Sequence, residues 1–215
     1  MLRILLADDH DVVRRGLRDQ LSQHEGWEIC GEASNGREAV KMALELTPDV
    51  VVLDLSMPEL NGLEATRQIR RELPETEVLI FTMHDTEHLI REVLAAGARG
   101  YVLKSDVARH LTSAVEALSL HKPFFTATVS QALLDAFLQT NTGSDEKSVF
   151  RTLTDREREI LQMLAEGKSN KQIAISLGIS VKTVETHRAT VMRKLEINSI
   201  VELVHYAIRN QLVEA

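Results

Sequence analysis

At 215 residues the chain is long enough for one large domain or two modest ones. Its 44% hydrophobic and 27% charged residues form an ordinary globular mixture, which excludes disordered, collagenous and low-complexity classes. The net charge of −7 argues against nucleic-acid binding over the whole surface, but it is unevenly spread: residues 1–122 carry 14 basic and 21 acidic side chains, residues 149–215 carry 10 and 8. An acidic front half and a mildly basic back half suggest separate partners, a cation for the first and a polyanion for the second. Uninterrupted apolar runs such as Val50 to Leu53 reach only four residues, far short of the roughly 20 that cross a bilayer. The N-terminal stretch runs straight into Asp8-Asp9-His10-Asp11, with no room for a signal-peptide core, so a cytoplasmic protein without membrane partners is expected. A single cysteine, Cys30, excludes a disulfide framework or a Cys-rich zinc site and is expected to be a small buried apolar group.

In chain order, short runs rich in Val, Ile and Leu predict strands at Leu2 to Ala7, Trp27 to Ala33, Val50 to Asp54, Glu77 to Thr82 and Gly100 to Leu103. Four of the five lack polar alternation, as strands buried on both faces do. Stretches of helical period lie between them, with expected caps at Asp11, at Asn35 with Glu38 and at Asn61 with Glu64. The expected fold is therefore α/β: a doubly wound five-stranded parallel sheet with a second, smaller all-α domain. Ligands of such sheets bind beyond the carboxyl ends of the strands, near the switch in strand order. There the sequence places Asp8 and Asp9 after the first strand, Asp54 at the end of the third, Thr82 at the end of the fourth and Lys104 after the fifth. Three converging carboxylates repel one another unless a hard cation sits among them, and an open oxygen-ligand site suits Mg2+. Asp54 is then a nucleophile toward a phosphoryl group, with Mg2+ and Lys104 neutralising the phosphoryl oxygens and Thr82 hydrogen-bonding one of them. His84 and His88 stand four apart, but no third ligand nearby makes them a zinc pair.

These residues resemble a two-component response-regulator receiver domain, a flavodoxin-like fold. The motifs are Ala7-Asp8-Asp9-His10, Leu53-Asp54-Leu55-Ser56-Met57-Pro58, Gly62, Phe81-Thr82-Met83-His84-Asp85 and Gly100-Tyr101-Val102-Leu103-Lys104. The resemblance implies that Asp54 is the phosphoacceptor, that Asp8 and Asp9 form the acidic pocket and that the Ser56 carbonyl is a further Mg2+ ligand. It makes Thr82 and Tyr101 a switch pair, with the hydroxyl moving to the phosphoryl group and the ring turning inward, and it has Lys104 hold a phosphoryl oxygen. Ser56 and His84, two residues beyond the phosphoacceptor and the switch threonine, are implied to tune phosphoryl lifetime. The first helix, where sensor histidine kinases dock on receivers, offers Val13, Arg14 and Leu17 as expected exposed candidates.

Residues 1–122 are read as this domain and 123–148 as a linker with a short helix near 128–138; Gln139 to Ser148 has no apolar side chain. Residues 149–215 are read as the second domain. Thr154 with Glu157 predicts a capping box, followed by Ile160, Leu161 and Leu164 inside and a stop at Gly167. Ser169 with Gln172 predicts a second, with Ile173, Ala174 and Leu177 inside and a turn at Gly178-Ile179-Ser180. A third helix from about Val181 to Leu195 has an apolar seam at Val184, Val191 and Leu195. Lys182, Glu185, Thr186, Ala189 and Arg193 lie opposite, the pattern of a helix-turn-helix whose second helix enters the major groove. A last helix from about Asn198 is expected to bury Ile200, Leu203, Val204, Ala207 and Ile208.

Leu153 to Ile160, Gly167 to Ala174 and Ile179 to Arg188 are similar to the LuxR-type helix-turn-helix of NarL/FixJ response regulators. The resemblance implies that Lys182, Glu185, Thr186 and Ala189 approach base edges. Glu185 stands where other members place a lysine, and its carboxylate would accept from cytosine. Lys171, Thr183, His187, Arg188, Arg193 and Lys194 are candidates for phosphate contacts. The expected function is a phosphorylation-controlled transcriptional regulator whose partners are a sensor histidine kinase, promoter DNA bound as a homodimer, and RNA polymerase as a further candidate. It is not expected to be an enzyme beyond catalysing its own phosphoryl transfer and dephosphorylation. A haloacid-dehalogenase-type phosphatase is disfavoured because Ser56, not Asp, stands two beyond the nucleophile; an autoinducer-binding regulator is disfavoured by the acid pocket. The alternative within the same fold is a regulator whose DNA binding ignores phosphorylation.

Overall fold

Strand and helix alternate through the first part of the chain: β1 (Leu2–Ala7), α1 (Asp11–Leu21), β2 (Trp27–Ala33), α2 (Gly36–Leu46), β3 (Val50–Leu53), α3 (Gly62–Glu72), β4 (Glu77–Thr82), α4 (Glu87–Ala95), β5 (Gly100–Leu103), α5 (Val107–Ser119) and β6 (Phe124–Phe125). Residues 1–127, 129–131, 153–210 and 212–213 are described in this computed structural model. The chain divides into two compact units, the first of which holds these elements. Every strand pairing is parallel, in the order β2-β1-β3-β4-β5-β6. The order therefore reverses beside β1, the switch point at which a ligand crevice opens.

All four residues of β3 and all six of β4 are buried, as the unbroken apolar runs predict. Alternate strand residues point to opposite faces. On one face Ile4, Leu6, Val50, Val52, Leu79, Phe81 and Val102 form a core with Leu17 and Leu21 of α1 and Leu111, Ala114, Val115 and Leu118 of α5. Each such burial contributes roughly 1.5–3 kcal/mol for a side chain the size of Val or Leu.

The sheet has six strands where five were expected. Phe124–Phe125 pairs with Gly100 and Tyr101 of β5, so the sheet continues past residue 122 into the stretch read as linker. A two-residue strand is too short to show a period. The short helix near 128–138 lies outside the described residues except at 129–131, and residues 139–148 of the linker lie wholly outside them.

Helix α1 differs from the expectation in two ways. Asp11 is its first helical residue and His10 occupies the cap, without a side-chain cap bond. Leu17 is 2% exposed and Val13 packs against the same core, whereas Val12 is 82% exposed. Val13, Leu17 and Leu21 recur every four residues, which makes them the inward stripe of an amphipathic helix. Cys30 is half-buried at an irregularity where β2 shifts register against β1, and its thiol donates to the Ile4 carbonyl at 3.4 Å.

The second unit is helical: α6 (Asp155–Ala165), α7 (Asn170–Leu177), α8 (Val181–Lys194) and α9 (Ile200–Arg209). Both expected capping boxes form, Thr154 with Glu157 and Ser169 with Gln172. Ser180 and Ser199 cap the remaining two helices. Gly178 closes α7 with φ of 63°, a left-handed conformation that side chains with a Cβ avoid, and lets the chain turn directly into α8. Ile173, Leu177, Val184, Val191, Leu203 and Ala207 are buried. Ile200, expected inside, is 39% exposed at the first position of α9.

Candidate functional site

The register of β1 and β3 brings Ala7 opposite Leu53, and the Asp54 backbone N–H donates to the Ala7 carbonyl at 2.8 Å. Asp8 and Asp54 thus emerge side by side at the strand ends. Thr82 pairs with Leu103, which delivers Lys104 to the same edge. The Lys104 ammonium lies 2.8 Å from Oδ2 of Asp54 and 2.8 Å from Oδ2 of Asp8. The ammonium also lies over the Phe81 ring, with Nζ 5.8 Å from the ring centroid. The other Asp54 oxygen, Oδ1, accepts from the Leu55 backbone N–H at 2.8 Å.

Burial pushes the Asp54 carboxyl above its ordinary value; Lys104 opposes this in part, and the neighbouring Asp8 charge adds to the rise. For Lys104 burial acts downward, but the Asp54 and Asp8 carboxylates outweigh it and hold the ammonium pKa above the usual lysine value. One ammonium faces three carboxylates. Asp8, Asp9, His10 and Asp54 can each offer a ligand atom with all four atoms within 4.8 Å of one another. The donor set and its excess negative charge fit a divalent cation such as Mg2+.

Thr82 and Tyr101 are both fully buried, the tyrosine ring lying inward. The Tyr101 hydroxyl donates to the His84 carbonyl at 2.6 Å, and the His84 backbone N–H donates to Oγ1 of Thr82 at 3.3 Å. Burial, with the Asp85 and Asp54 charges adding to it, raises the Tyr101 pKa well above its ordinary value. The His84 ring meets the Ser56 hydroxyl at 3.0 Å across the site. The two residues expected to tune phosphoryl lifetime are therefore one hydrogen-bonded pair. Bonded partners are coupled, so the effects of Ser56→Ala and His84→Ala on dephosphorylation are expected to be non-additive. In a double-mutant cycle the second substitution should add little to the first; rates that simply multiply would refute the coupling.

His10 was not singled out in the sequence. The sequence reading put the cap at Asp11, so that His10 stands at the cap emerges only from the structure.

In the second unit Lys182, Glu185, Thr186, Ala189 and Arg193 line one face of α8, as the spacing predicts. Thr190, one turn beyond Thr186, belongs to the same face and was missed. The Thr186 and Thr190 hydroxyls donate to the helix carbonyls of Lys182 and Thr186 at 3.0 Å. Among the described residues no ion pair engages Lys171, Lys182, Glu185, Arg188 or Arg193. Thr183 is exposed and shares a hydroxyl bond with Ser180 at 2.8 Å, while His187 and Arg188 are half-buried. Lys194, expected to contact phosphate, is held in an ion pair within the unit. Its ammonium lies 2.6 Å from Oε2 of Glu157, and despite burial acting upward this pairing, with the Thr154 cap bonds, holds the Glu157 carboxyl below its ordinary value. Lys194 thus ties α8 to the cap of α6.

Both units have counterparts among known proteins. Residues 4–116 match the family model of the response regulator receiver domain, and residues 151–207 match that of bacterial regulatory proteins of the luxR family. The chain belongs to the response regulators and combines a receiver domain with a LuxR-type DNA-binding domain, the architecture of the NarL/FixJ group. It is 41% identical over 217 aligned positions to the oxygen regulatory protein NreC of Staphylococcus epidermidis, covering 99% of this chain and all of that one. It is 38% identical over 213 to the transcriptional regulatory protein LiaR of Bacillus subtilis, with the same coverage. Among solved structures it is similar to RcsB of Salmonella enterica serovar Typhimurium bound to promoter rprA in the presence of phosphomimetic BeF3−. That likeness has 27% identity and a TM-score of 0.60, over 95% of this chain and 97% of that one.

Proposed function

We propose that this response regulator is switched by phosphorylation of Asp54 and that the phosphorylated form binds promoter DNA as a homodimer. The observation that carries the reading is the Lys104 ammonium held 2.8 Å from both Asp54 and Asp8, a preformed positive point where phosphoryl charge would arrive. The donor class is a phosphohistidine of a sensor kinase. An Asp54 oxygen forms a bond to phosphorus as the bond from phosphorus to the donor imidazole nitrogen breaks; the imidazole leaves with that electron pair and takes up a proton. Lys104 balances the charge on the transferred group, and the Thr82 hydroxyl hydrogen-bonds one of its oxygens. Asp8, Asp9, Asp54 and the Ser56 carbonyl would hold Mg2+, which when bound neutralises phosphoryl oxygens. Beyond this transfer and the later hydrolysis of its own acyl phosphate, the chain acts on no substrate.

The exposed face of α8 reads the major groove. Lys182, Glu185, Thr186 and Ala189 approach base edges, Glu185 accepting from cytosine, and Lys171, Thr183, His187, Arg188 and Arg193 contact phosphates. RcsB, whose solved structure is bound to promoter rprA in the presence of phosphomimetic BeF3−, supports this reading. Pairing of two modules on half-sites raises the affinity of a domain with little net positive charge.

The test compares oligomeric state and promoter affinity of wild type and Asp54→Ala, with and without a small phosphoryl donor and Mg2+. The donor is expected to tighten dimerisation and DNA binding in wild type alone. Equal, donor-independent binding by both proteins would mean a regulator whose output ignores phosphorylation.

A further inference from the structure

The outer face of α8 changes its chemistry along its length. Lys182, Glu185, Thr186, Ala189 and Arg193 are exposed on it, with Thr190 half-buried beside them. A helix advances about 1.5 Å per residue, so Lys182 and Arg193 stand about 16 Å apart along the axis, at opposite ends of the face. Between these cations lie a carboxylate and small side chains. Guanine is read in the major groove by a donor, most often Arg or Lys, that reaches its O6 and N7. The centre of the face supplies no such donor. The Thr186 hydroxyl donates to the Lys182 carbonyl and the Thr190 hydroxyl to the Thr186 carbonyl, both at 3.0 Å, so their protons are spent on the helix itself. Glu185 offers a carboxylate acceptor and Ala189 only a methyl group.

Two base features remain for such a centre to recognise. Thymine alone carries a 5-methyl group on the major-groove edge, and Ala and Thr side chains make the apolar contact that detects it. Cytosine presents its N4 amino group, which a Glu carboxylate accepts from; adenine also has an amino donor but sets the N7 acceptor beside it, which repels a carboxylate. Glu185 and Ala189 are separated by about one turn, roughly 5–6 Å along the axis, against a base-pair rise of about 3.4 Å. The methyl contacts therefore fall within about two base pairs of the cytosine.

We propose that α8 selects thymine by its 5-methyl group, through Thr186 and Ala189, beside the cytosine read by Glu185, and leaves direct guanine contact on this face to Lys182. The inference rests on the reading of α8 as the helix that enters the major groove and names the DNA sequence that this helix prefers. Lys182 at the first turn supplies the donor, Glu185 the acceptor, and the small side chains that follow supply the apolar contact. Arg193 at the far end meets phosphate, which positions the helix without specifying a base.

The experiment uses the full chain, with and without a small phosphoryl donor and Mg2+, to select duplexes from a random-sequence pool. Binding to the selected site is then measured by fluorescence anisotropy with each thymine replaced in turn by uracil, which lacks only the methyl group. Thymine is expected to be enriched within about two base pairs of a cytosine, and uracil there should weaken binding roughly three- to fivefold, the worth of one buried methyl group. Thr186→Ser keeps the hydroxyl but not the methyl, so it should abolish the preference for thymine over uracil at one position and leave it at the other. Glu185→Gln should exchange the selected cytosine for adenine. Uracil tolerated at every position, or guanine in place of the thymines, would overturn the thymine inference while the groove reading stands. If no sequence is enriched under either condition, or if Glu185→Gln and Thr186→Ser both leave the selected sequence and the uracil response unchanged, α8 does not read bases and both fall together.

Discussion

Replacing Gly62 by alanine is expected to be among the most damaging single-methyl changes in the chain. A Cβ at this position would fall on the Asp54 carbonyl oxygen, with the Asp54 carbonyl carbon at 2.8 Å and the Leu55 Cα at 2.9 Å. These are backbone atoms of the segment that carries Asp54, and the Gly62 N–H already bonds the Leu55 carbonyl at 2.9 Å. No flexible side-chain end can give way. Overpacking typically costs about 1–3 kcal/mol and occasionally more, and here relief requires moving Asp54 itself. Urea denaturation should show a loss of about 3 kcal/mol, and any folded remainder should accept phosphoryl groups poorly because Asp54 is displaced from Lys104. A stability change within about 0.5 kcal/mol, the usual range for neutral surface positions, would show that the close approach of α3 to the β3 end is not tight.

Lys104→Ala removes the ammonium that bridges Asp8 and Asp54. Breaking a buried ion pair on one side typically costs about 3–5 kcal/mol, because the remaining charge is left uncompensated. Lys104 is only partly buried, so the lower end applies. The direction with pH follows from the shifts. Lys104 has a raised pKa when folded, so its contribution in wild type is complete below the unfolded value of 10.5 and is lost as pH rises through the folded value. Asp54, also raised, favours the fold most where it is protonated, below its unfolded value of 3.8, and loses that contribution as pH rises through its folded value. Without Lys104 the Asp54 pKa climbs further. The deficit of the variant should accordingly be largest at neutral pH and shrink as pH falls toward 3.8. Mg2+ should recover part of it by supplying positive charge to the same carboxylates. Thermal denaturation across pH 4–8, with and without Mg2+, checks both; a deficit that ignores pH would show that Lys104 acts through packing instead of through charge.

The acids at the strand ends were legible in the sequence because each follows an unbroken buried run, and a parallel sheet sends all such ends to one edge. The helix starts in the second unit were legible for a similar reason: a capping box is a bond between residues three apart, and Thr154 with Glu157 carries its own geometry. Helix α1 was misread at Leu17 although its stripe of Val13, Leu17 and Leu21 is itself a local signal. The ion pair of Lys194 could not be read from the sequence for another reason. Its partner, Glu157, lies 37 residues earlier, and charge alone does not say whether an ammonium faces phosphate or a carboxylate of its own domain.

What the sequence by itself determined is the set of strands β1 to β5, the helices between them and the chemical identity of the groups at the strand ends, all of which depend on neighbours within a few positions. Tertiary structure alone decided the strand order, the two-residue strand β6, the Ser56 bond to His84, the shared grip of Lys104 on Asp8 and Asp54, and the placement of His10 against Asp9. Except for the last, these are pairings between residues far apart in the chain, where backbone partners and side-chain direction are set by which surfaces pack together; the His10 contact depends on how its rotamer leaves the uncapped start of α1. Local patterns supply the groups, and the closing of the sheet around its core selects which of them meet.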